Sequence, residues 1–276
     1  MRTIAHISDL HFGRADPQVA EALLTDLHAV CPTLVAISGD LTQRARPREF
    51  REAADFLRAL PGAWLAVPGN HDIPMFDLFR RVFRPLSRWK KWISTDLNPV
   101  FLDDEIMVLG VNTARSMTIK NGSISVDQIA RIRDRLRHEP SDRSPFKILV
   151  THHPFVPVLG TPSRDLVGRG ELALAALEDW GADLLLAGHI HRAWSGDARA
   201  HDIHIRRSIL VAQAGTAIST RRRGDPNGYN LVTVERDRVS IELRDFDGRG
   251  FRSSRTIGYH RMGPDWMPIA VEAPAA

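Results

Sequence analysis

Two pairs of residues in the chain stand one residue apart, Asp9 with His11 and His189 with His191. Side chains at i and i+2 of an extended segment point the same way, so each pair can offer two donors to one point in space. Between the pairs lie Gly39-Asp40, Gly69-Asn70-His71-Asp72 and His152-His153. Carboxylate, imidazole and carboxamide groups together are donors that suit iron, manganese and zinc alike. Asp9, His11, Asp40, Asn70, His152, His189 and His191 make seven such groups, more than the four a tetrahedral ion takes. With Asp40 shared, two ions receive four protein donors each. About four positive charges against two carboxylates would leave the pocket at roughly +2, enough to attract an anion and lower the pKa of a bridging water. Ions about 3.5–4 Å apart can clamp the attacking and leaving oxygens of an in-line displacement. Asn70 adds a neutral oxygen where a third carboxylate would cancel part of that charge.

These residues need elements that carry distant segments to one edge. Short runs rich in Val, Ile and Leu at 3–7, 34–38, 64–67, 107–111, 148–151 and 184–187 read as buried strands. Each of the five chemical segments follows the end of one such run, and ligands of open α/β sheets collect beyond the carboxyl ends of strands. Glycines at 39, 69 and 188 are expected to turn the chain sharply there. Helical patterns fill the intervals. Residues 19–30 carry Leu23, Leu24, Leu27 and Val30 at helical spacing. Residues 47–60 open on Pro47 and end before Pro61-Gly62. Ser125-Val126-Asp127-Gln128 forms a capping box for a helix over 129–137, and a helix over 170–180 stops at Gly181. After about Gly188, residues 209–214, 229–235 and 238–244 read as antiparallel strands, the last two joined by a tight turn at Arg236-Asp237. Strand–helix alternation followed by a strand-rich end predicts a layered α/β protein with two sheets.

Length and composition narrow the class. The chain has 276 residues, 43% hydrophobic and 25% charged, which excludes disorder as its main state. Its only cysteine, Cys31, excludes a disulfide scaffold and reads as a small core or boundary residue. No apolar run approaches the ~20 residues of a membrane span, and Met1-Arg2-Thr3-Ile4-Ala5-His6-Ile7 lacks a signal-peptide core. A cytoplasmic location is therefore expected. A formal charge of +4 over this length is mild and selects no partner.

Taken in order, the segments D-x-H, G-D, G-N-H-D, H and G-H-x-H resemble the signature of the calcineurin-like binuclear metallophosphoesterases, over about residues 3–215. Ser8-Asp9-Leu10-His11, Pro68-Gly69-Asn70-His71-Asp72 and Thr151-His152-His153-Pro154 look most like the class III cyclic nucleotide phosphodiesterase branch. The resemblance implies a four-layer α/β/β/α sandwich of two mixed β-sheets flanked by helices. It implies one metal on Asp9, His11, Asp40 and His191, and a second on Asp40, Asn70, His152 and His189, with iron or manganese favoured and zinc an alternative. His71 is then a non-ligand that contacts the phosphate or protonates the leaving oxygen, and Asp72 orients His71 through a hydrogen bond. A single domain is expected over 1–258, followed by a loosely ordered tail at 259–276.

The expected activity is metal-dependent phosphodiester hydrolysis by a metal-bridging hydroxide, with 3′,5′-cyclic nucleotides as the first substrate class. Glycerophospho- or lipid-linked phosphoesters at a membrane surface form the second reading. A nuclease is weaker, since mild basicity is all that supports nucleic acid as a partner. A non-catalytic metal-binding scaffold is the reading outside enzymology. A homodimer is carried only by family analogy.

Other residues attract blander readings. Within a basic, aromatic insertion at 74–96, residues 76–93 interleave Arg80, Arg81, Arg84, Arg88, Lys90 and Lys91 with Phe76, Phe79, Phe83, Trp89 and Trp92. They form either a lid or weak membrane-surface contact, or, as the favoured expectation, a helical segment with its aromatic face on the core and its charges solvated. Pro85 argues against one continuous helix. His153 is expected to face away from His152, and Arg221-Arg222-Arg223 to be a solvated loop. Asp16, His28, His138, His201, His204 and His260 read as surface or structural.

Overall fold

A computed structural model describes residues 1–137, 145–157, 165–201, 205–222 and 224–269; His138, His204, Arg223 and 270–276 lie outside the described residues. The strands are β1 (Arg2–Ile7), β2 (Leu34–Ile37), β3 (Ala63–Ala66), β4 (Val100–Leu102), β5 (Ile106–Gly110), β6 (Phe146–Val150), β7 (Leu184–Ala187), β8 (Trp194–Asp197), β9 (Leu210–Gln213), β10 (Gly228–Val234), β11 (Arg238–Phe246), β12 (Phe251–Met262) and β13 (Asp265–Ile269). The α-helices are α1 (Pro17–Val30), α2 (Pro47–Arg58), α3 (Leu78–Phe83), α4 (Ser87–Trp92), α5 (Val126–Arg137) and α6 (Gly170–Asp179). One sheet runs β13-β12-β11-β10-β1-β2-β3 and the other β4-β5-β6-β7-β9-β8. In the first, β1, β2 and β3 are parallel and β10 to β13 antiparallel. In the second, β5, β6, β7 and β9 are parallel between antiparallel edges.

The apolar residues sort into three layers, which is what makes the molecule a four-layer sandwich. Ile4, Leu34, Ala36, Val108, Val150 and Leu186 fill the space between the sheets. Leu23, Leu27, Phe50 and Phe56 from α1 and α2 cover Val35 and Ile37 on the outer face of the first sheet. Ile129, Ile132, Leu174 and Leu177 from α5 and α6 cover Leu149 and Leu185 on the second. Central strands buried on both faces carry continuous apolar runs. The helix starts follow their caps. Asp16 accepts from Gln18 N and Val19 N at the start of α1, and Ser125 and Gln128 exchange reciprocal bonds of 3.1 and 3.0 Å before α5.

Four departures from the sequence reading have physical causes. β9 is parallel to β7 rather than antiparallel, because a short, fully buried run does not reveal its partner's direction. The edge strands β4 and β8 are not among the expected strands: β4 is only three residues long and largely exposed, and β8 has no apolar run. Cys31 is exposed and left-handed, ending α1 with its backbone N–H on Leu27 O. The tail expected to be loose from 259 is ordered strand as far as Ile269. Trp266 of β13 is buried against Phe146, ring centres 5.6 Å apart, and Arg261 of β12 reaches the buried Asp183 of the second sheet. One aromatic contact and one ion pair outweigh the low complexity of that stretch.

In the basic aromatic segment the helix breaks between Phe83 and Ser87, beside Pro85. Trp89 of α4 packs into the core as expected, but Phe76, Phe79 and Phe83 face outward.

Two predictions follow from this packing. Trp266→Ala is expected to lose about 3–5 kcal/mol in urea unfolding, whereas a loose tail would lose almost nothing. His6 is fully buried and neutral: Asn230 Nδ2 donates to its Nδ1 at 3.3 Å, and its Nε2 contacts Ser38 Oγ at 2.9 Å. Burial pushes His6 down to about 3, so the unfolded chain binds the proton first as pH falls. Stability present above pH ~6.5 is then lost at up to about 1.4 kcal/mol per unit below it. His6→Gln is expected to flatten the pH dependence of unfolding by that slope, and an unchanged slope would contradict the burial.

Candidate metal centre

The parallel strands of both sheets end at one edge. Backbone bonds extend each pairing past the last strand residue: Asp9 N to Gly39 O at 3.1 Å, Val67 N to Ile37 O at 3.1 Å and Gly188 N to His152 O at 3.1 Å. Beyond this frame the chain turns inward at unusual dihedrals. Asp9, His11, Asp40, His189 and His191 all have positive φ, from 47° to 73°. Left-handed backbone at a non-glycine residue costs about 1–3 kcal/mol and persists where surrounding bonds over-determine it. Such bonds are present: His11 N donates to Asp40 O at 2.9 Å, His189 N to Asp9 Oδ2 at 3.0 Å and His71 N to Asp40 Oδ1 at 2.8 Å.

Of the three expected turn glycines only Gly39 is left-handed, at φ +93°. Gly69 and Gly188 serve close approach instead. A Cβ on Gly69 would meet Asp40 Oδ1 at 2.1 Å, and one on Gly188 would meet Ser8 Oγ at 1.9 Å.

Each carboxylate divides its oxygens between holding and aiming. Asp9 Oδ2 accepts from Ser8 Oγ at 2.7 Å and from His189 N. Its Oδ1 is buried without a hydrogen-bond partner, 3.2 Å from His191 Nε2 and 3.5 Å from His11 Nε2. Asp40 Oδ1 holds His71 N, while Oδ2 sits 3.8 Å from His11 Nε2 and 3.4 Å from His152 Nε2. Asp40 Oδ2 thus faces two groups of donors at once.

The imidazoles are aimed by what lies behind them. His152 Nδ1 donates to Ser38 O at 2.7 Å and His191 Nδ1 to Arg221 O at 2.9 Å. A carbonyl only accepts, so each neutral ring carries its lone pair on Nε2. Those lone pairs face oxygens that only accept: His152 Nε2 lies 3.1 Å from Asn70 Oδ1 and His191 Nε2 3.2 Å from Asp9 Oδ1, with His189 Nδ1 and His11 Nε2 each 3.3 Å away. Acceptors converging on acceptors in a buried site require positive charge between them. Electrostatics agree. Burial opposes charge on Asp9 and Asp40, yet His191 and His11 beside Asp9, and His152 and His71 beside Asp40, hold both carboxyls well below the ordinary range. Burial pulls these four imidazoles down, but Asp40 carries His152 up to about 9 and Asp9 raises His191, while His189 falls to about 3 and His11 is lowered. Each group keeps one imidazole drawn to the charged form, where a cation would stand. The donor sets fit two metal ions.

Asp9, His11, Asp40 and His191 have donor atoms within 4.8 Å of one another, and so do His152, His153 and His189. His153 is excluded as a donor because both its ring nitrogens are occupied, at 2.8 Å by Thr113 Oγ1 and 2.8 Å by Lys120 O. Asn70 Oδ1 takes that place. His153 braces the neighbouring loop, consistent with its parity.

Two readings are corrected. Asp72 does not orient His71; its carboxylate accepts from Gly69 N, Leu41 N, Thr42 N and Thr42 Oγ1 at 2.9–3.2 Å and ties the β3 loop to the β2 loop. Burial, then Asp40, pushes it up to about 7. The side chain of the next residue in a tight 3₁₀ turn points elsewhere, and His71 Nδ1 is held by Gln43 O at 2.8 Å instead. Arg221, expected to be solvated, turns inward and donates to His71 Nε2 at 3.1 Å, while Arg222 is exposed. Sequence reasoning missed Gln43, Ser38, the inward turn of Arg221 and Thr216, whose Oγ1 lies 3.0 Å from His191 Nδ1. Only the arginine run gave any signal.

A family model described as calcineurin-like phosphoesterase matches residues 2–193. The chain is a calcineurin-like phosphoesterase. It is similar to a probable cyclic nucleotide phosphodiesterase of Synechococcus sp., 27% identical over 205 residues, covering 70% of this chain and 74% of that protein. A stretch of 80 residues is 36% identical to a glycerophosphodiester phosphodiesterase of Enterobacter lignolyticus, covering 25% of this chain and 29% of that one. In structure the fold matches a dimetal phosphatase from Danio rerio with a TM-score of 0.64 at 14% identity, over 88% of this chain and 96% of that one. This calcineurin-like phosphoesterase is accordingly a binuclear metallophosphoesterase, and its Asp/His cluster can bind metals.

Chelator-stripped protein is expected to gain thermal stability when Mn²⁺ is added, by about 2.7 kcal/mol per site at a hundredfold excess over the dissociation constant. Asp40→Asn, which weakens both donor groups, is expected to lose more than half of that gain. Equal gains in the two proteins would show that Asp40 is not shared.

Proposed function

We propose that the protein hydrolyses phosphodiesters, with 3′,5′-cyclic nucleotides as its substrate class. The observation that carries this reading is the pairing of His71 Nε2 with Arg221 Nη1 at 3.1 Å, beside two donor sets that share Asp40. Asp9, His11, Asp40 and His191 would hold one ion, and Asp40, Asn70, His152 and His189 the other, with iron or manganese favoured and zinc next. Bound there, the ions would polarise the phosphoryl group and supply a hydroxide nucleophile at neutral pH.

The remaining work falls to this chain's own side chains. Arg221 offers a fixed cation to a non-bridging phosphoryl oxygen. With its Nδ1 proton pinned on Gln43 O, His71 would take a second proton from solvent at Nε2, and that imidazolium would give it to the oxygen that leaves as an alkoxide. A diester needs such help because its leaving group is poor. Similarity to a probable cyclic nucleotide phosphodiesterase over 70% of the chain supports the substrate class. Glycerophosphodiesters are the second reading, supported by the shorter stretch of 36% identity.

Manganese-loaded enzyme is expected to hydrolyse bis(p-nitrophenyl) phosphate, and Asp40→Ala to abolish that activity. His71→Ala should lower kcat by about 10²–10⁴, and Arg221→Ala should act on KM more than Arg221→Lys does. A panel of 3′,5′-cyclic nucleotides, glycerophosphodiesters and short DNA decides the substrate: the proposal fails if cyclic nucleotides give a kcat/KM below either alternative.

A further inference from the structure

The helix α3 is built inside out. Its buried side chain is Arg81, which donates to Pro74 O at 3.0 Å and to Thr118 O. Its outward face is apolar: Phe76 just before it, then Leu78, Phe79, Val82 and Phe83, are 53–73% exposed. Phe79 and Phe83, one turn apart, hold their rings 5.0 Å from each other. The guanidinium of Arg44 lies 5.6 Å over the Phe76 ring. The Arg81 bond to Thr118 also sets Met117 and Ile119 beside the helix, both exposed. Ile119 O in turn accepts from Asn70 Nδ2 at 3.3 Å, so the apolar surface borders the metal centre. Single exposed apolar residues are ordinary, but a contiguous group of this kind marks an interaction surface.

The surrounding charge selects what covers it. Between 76 and 93 there are six basic residues and one acid, Asp77. That acid is already paired with Arg80 at 3.0 Å and Arg88 at 3.6 Å. Arg84, Lys90, Lys91, Arg44 and Lys120 are exposed with no acid paired to them among the described residues. A second copy docked face to face would set this cationic rim against itself. An anionic bilayer complements both features at once, taking phenylalanine rings into the headgroup–acyl boundary and basic residues at its surface. We propose that this face is a docking surface for an anionic lipid bilayer, which holds the mouth of the metal centre at the membrane interface. Arg81 positions the face by anchoring α3 with its rings outward.

The experiment is sedimentation of the full chain with sucrose-loaded vesicles of phosphatidylcholine alone or with 30% phosphatidylglycerol. Partition is expected to be at least tenfold higher on the anionic vesicles and to fall as NaCl is raised from 50 to 500 mM. Phe79→Ser/Phe83→Ser should reduce it about tenfold or more, and Arg84→Glu/Lys90→Glu should remove the preference for anionic lipid. Both variants are expected to keep wild-type thermal stability and soluble diesterase activity, since none of the four side chains is part of the centre. The proposal is overturned if wild-type protein does not partition onto anionic vesicles, or if the serine variant partitions equally. It is also overturned if sedimentation equilibrium shows a wild-type dimer that the serine change dissociates, because a second copy then covers the face. Vesicle binding is read without hydrolysis, so its outcome is separate from that of the substrate proposal.

Discussion

Two carboxylates and a set of imidazoles aim lone pairs at the same small buried space, and that mutual repulsion is the constraint on which the rest of the structure turns. Asp9 and Asp40 each spend one oxygen on backbone or hydroxyl donors and leave the other facing inward. His152 and His191 each anchor one nitrogen on a carbonyl and expose the other. Without positive charge this arrangement is unfavourable. Its five positive φ angles add backbone strain to the same place. Strain and unmatched acceptors in one location are the mark of a site organised around cations that bind the folded state and stabilise it.

The two sheets share the burden of holding that space together. Asp9, Asp40 and Asn70 follow strands of one sheet, whereas His152 and His189 follow strands of the other. The bond from His189 N to Asp9 Oδ2 and the one from His152 Nδ1 to Ser38 O cross between them. The apolar layer between the sheets fixes their separation, and so indirectly the distance between the two donor groups. Asp72 contributes at one remove, pinning the loop that carries Asn70 and His71 to the loop that carries Asp40.

Around the centre, two arginines act in opposite ways. Arg221 comes from a loop after β9 and turns toward His71, adding a fixed cation to a site whose task is to meet an anionic phosphoryl group. Arg81 is buried under α3 and satisfies backbone carbonyls on both sides of it. Its burial is what leaves phenylalanines on the surface, a reversal of the usual amphipathic order.

The sequence by itself determined which donor atoms could be gathered at one edge. Asp9, His11, Asp40, Asn70, His152, His189 and His191 were legible as one group because short-range spacing at strand ends survives in the linear order, and the fold brings their side chains together. The central strands, helices α1, α2, α5 and α6 and the capping box before α5 were legible for a similar reason, since periodicity and caps are local properties. The tertiary structure alone decided that Asp72 clasps a loop while Gln43 holds His71, that Arg221 leaves its basic run to enter the site, and that residues 259–269 become strands closed by Trp266. It also decided the direction of β9 and the inverted face of α3. Each of these depends on a contact between segments tens to hundreds of residues apart, and no local pattern of hydrophobicity or charge encodes which distant carbonyl or ring a side chain will find.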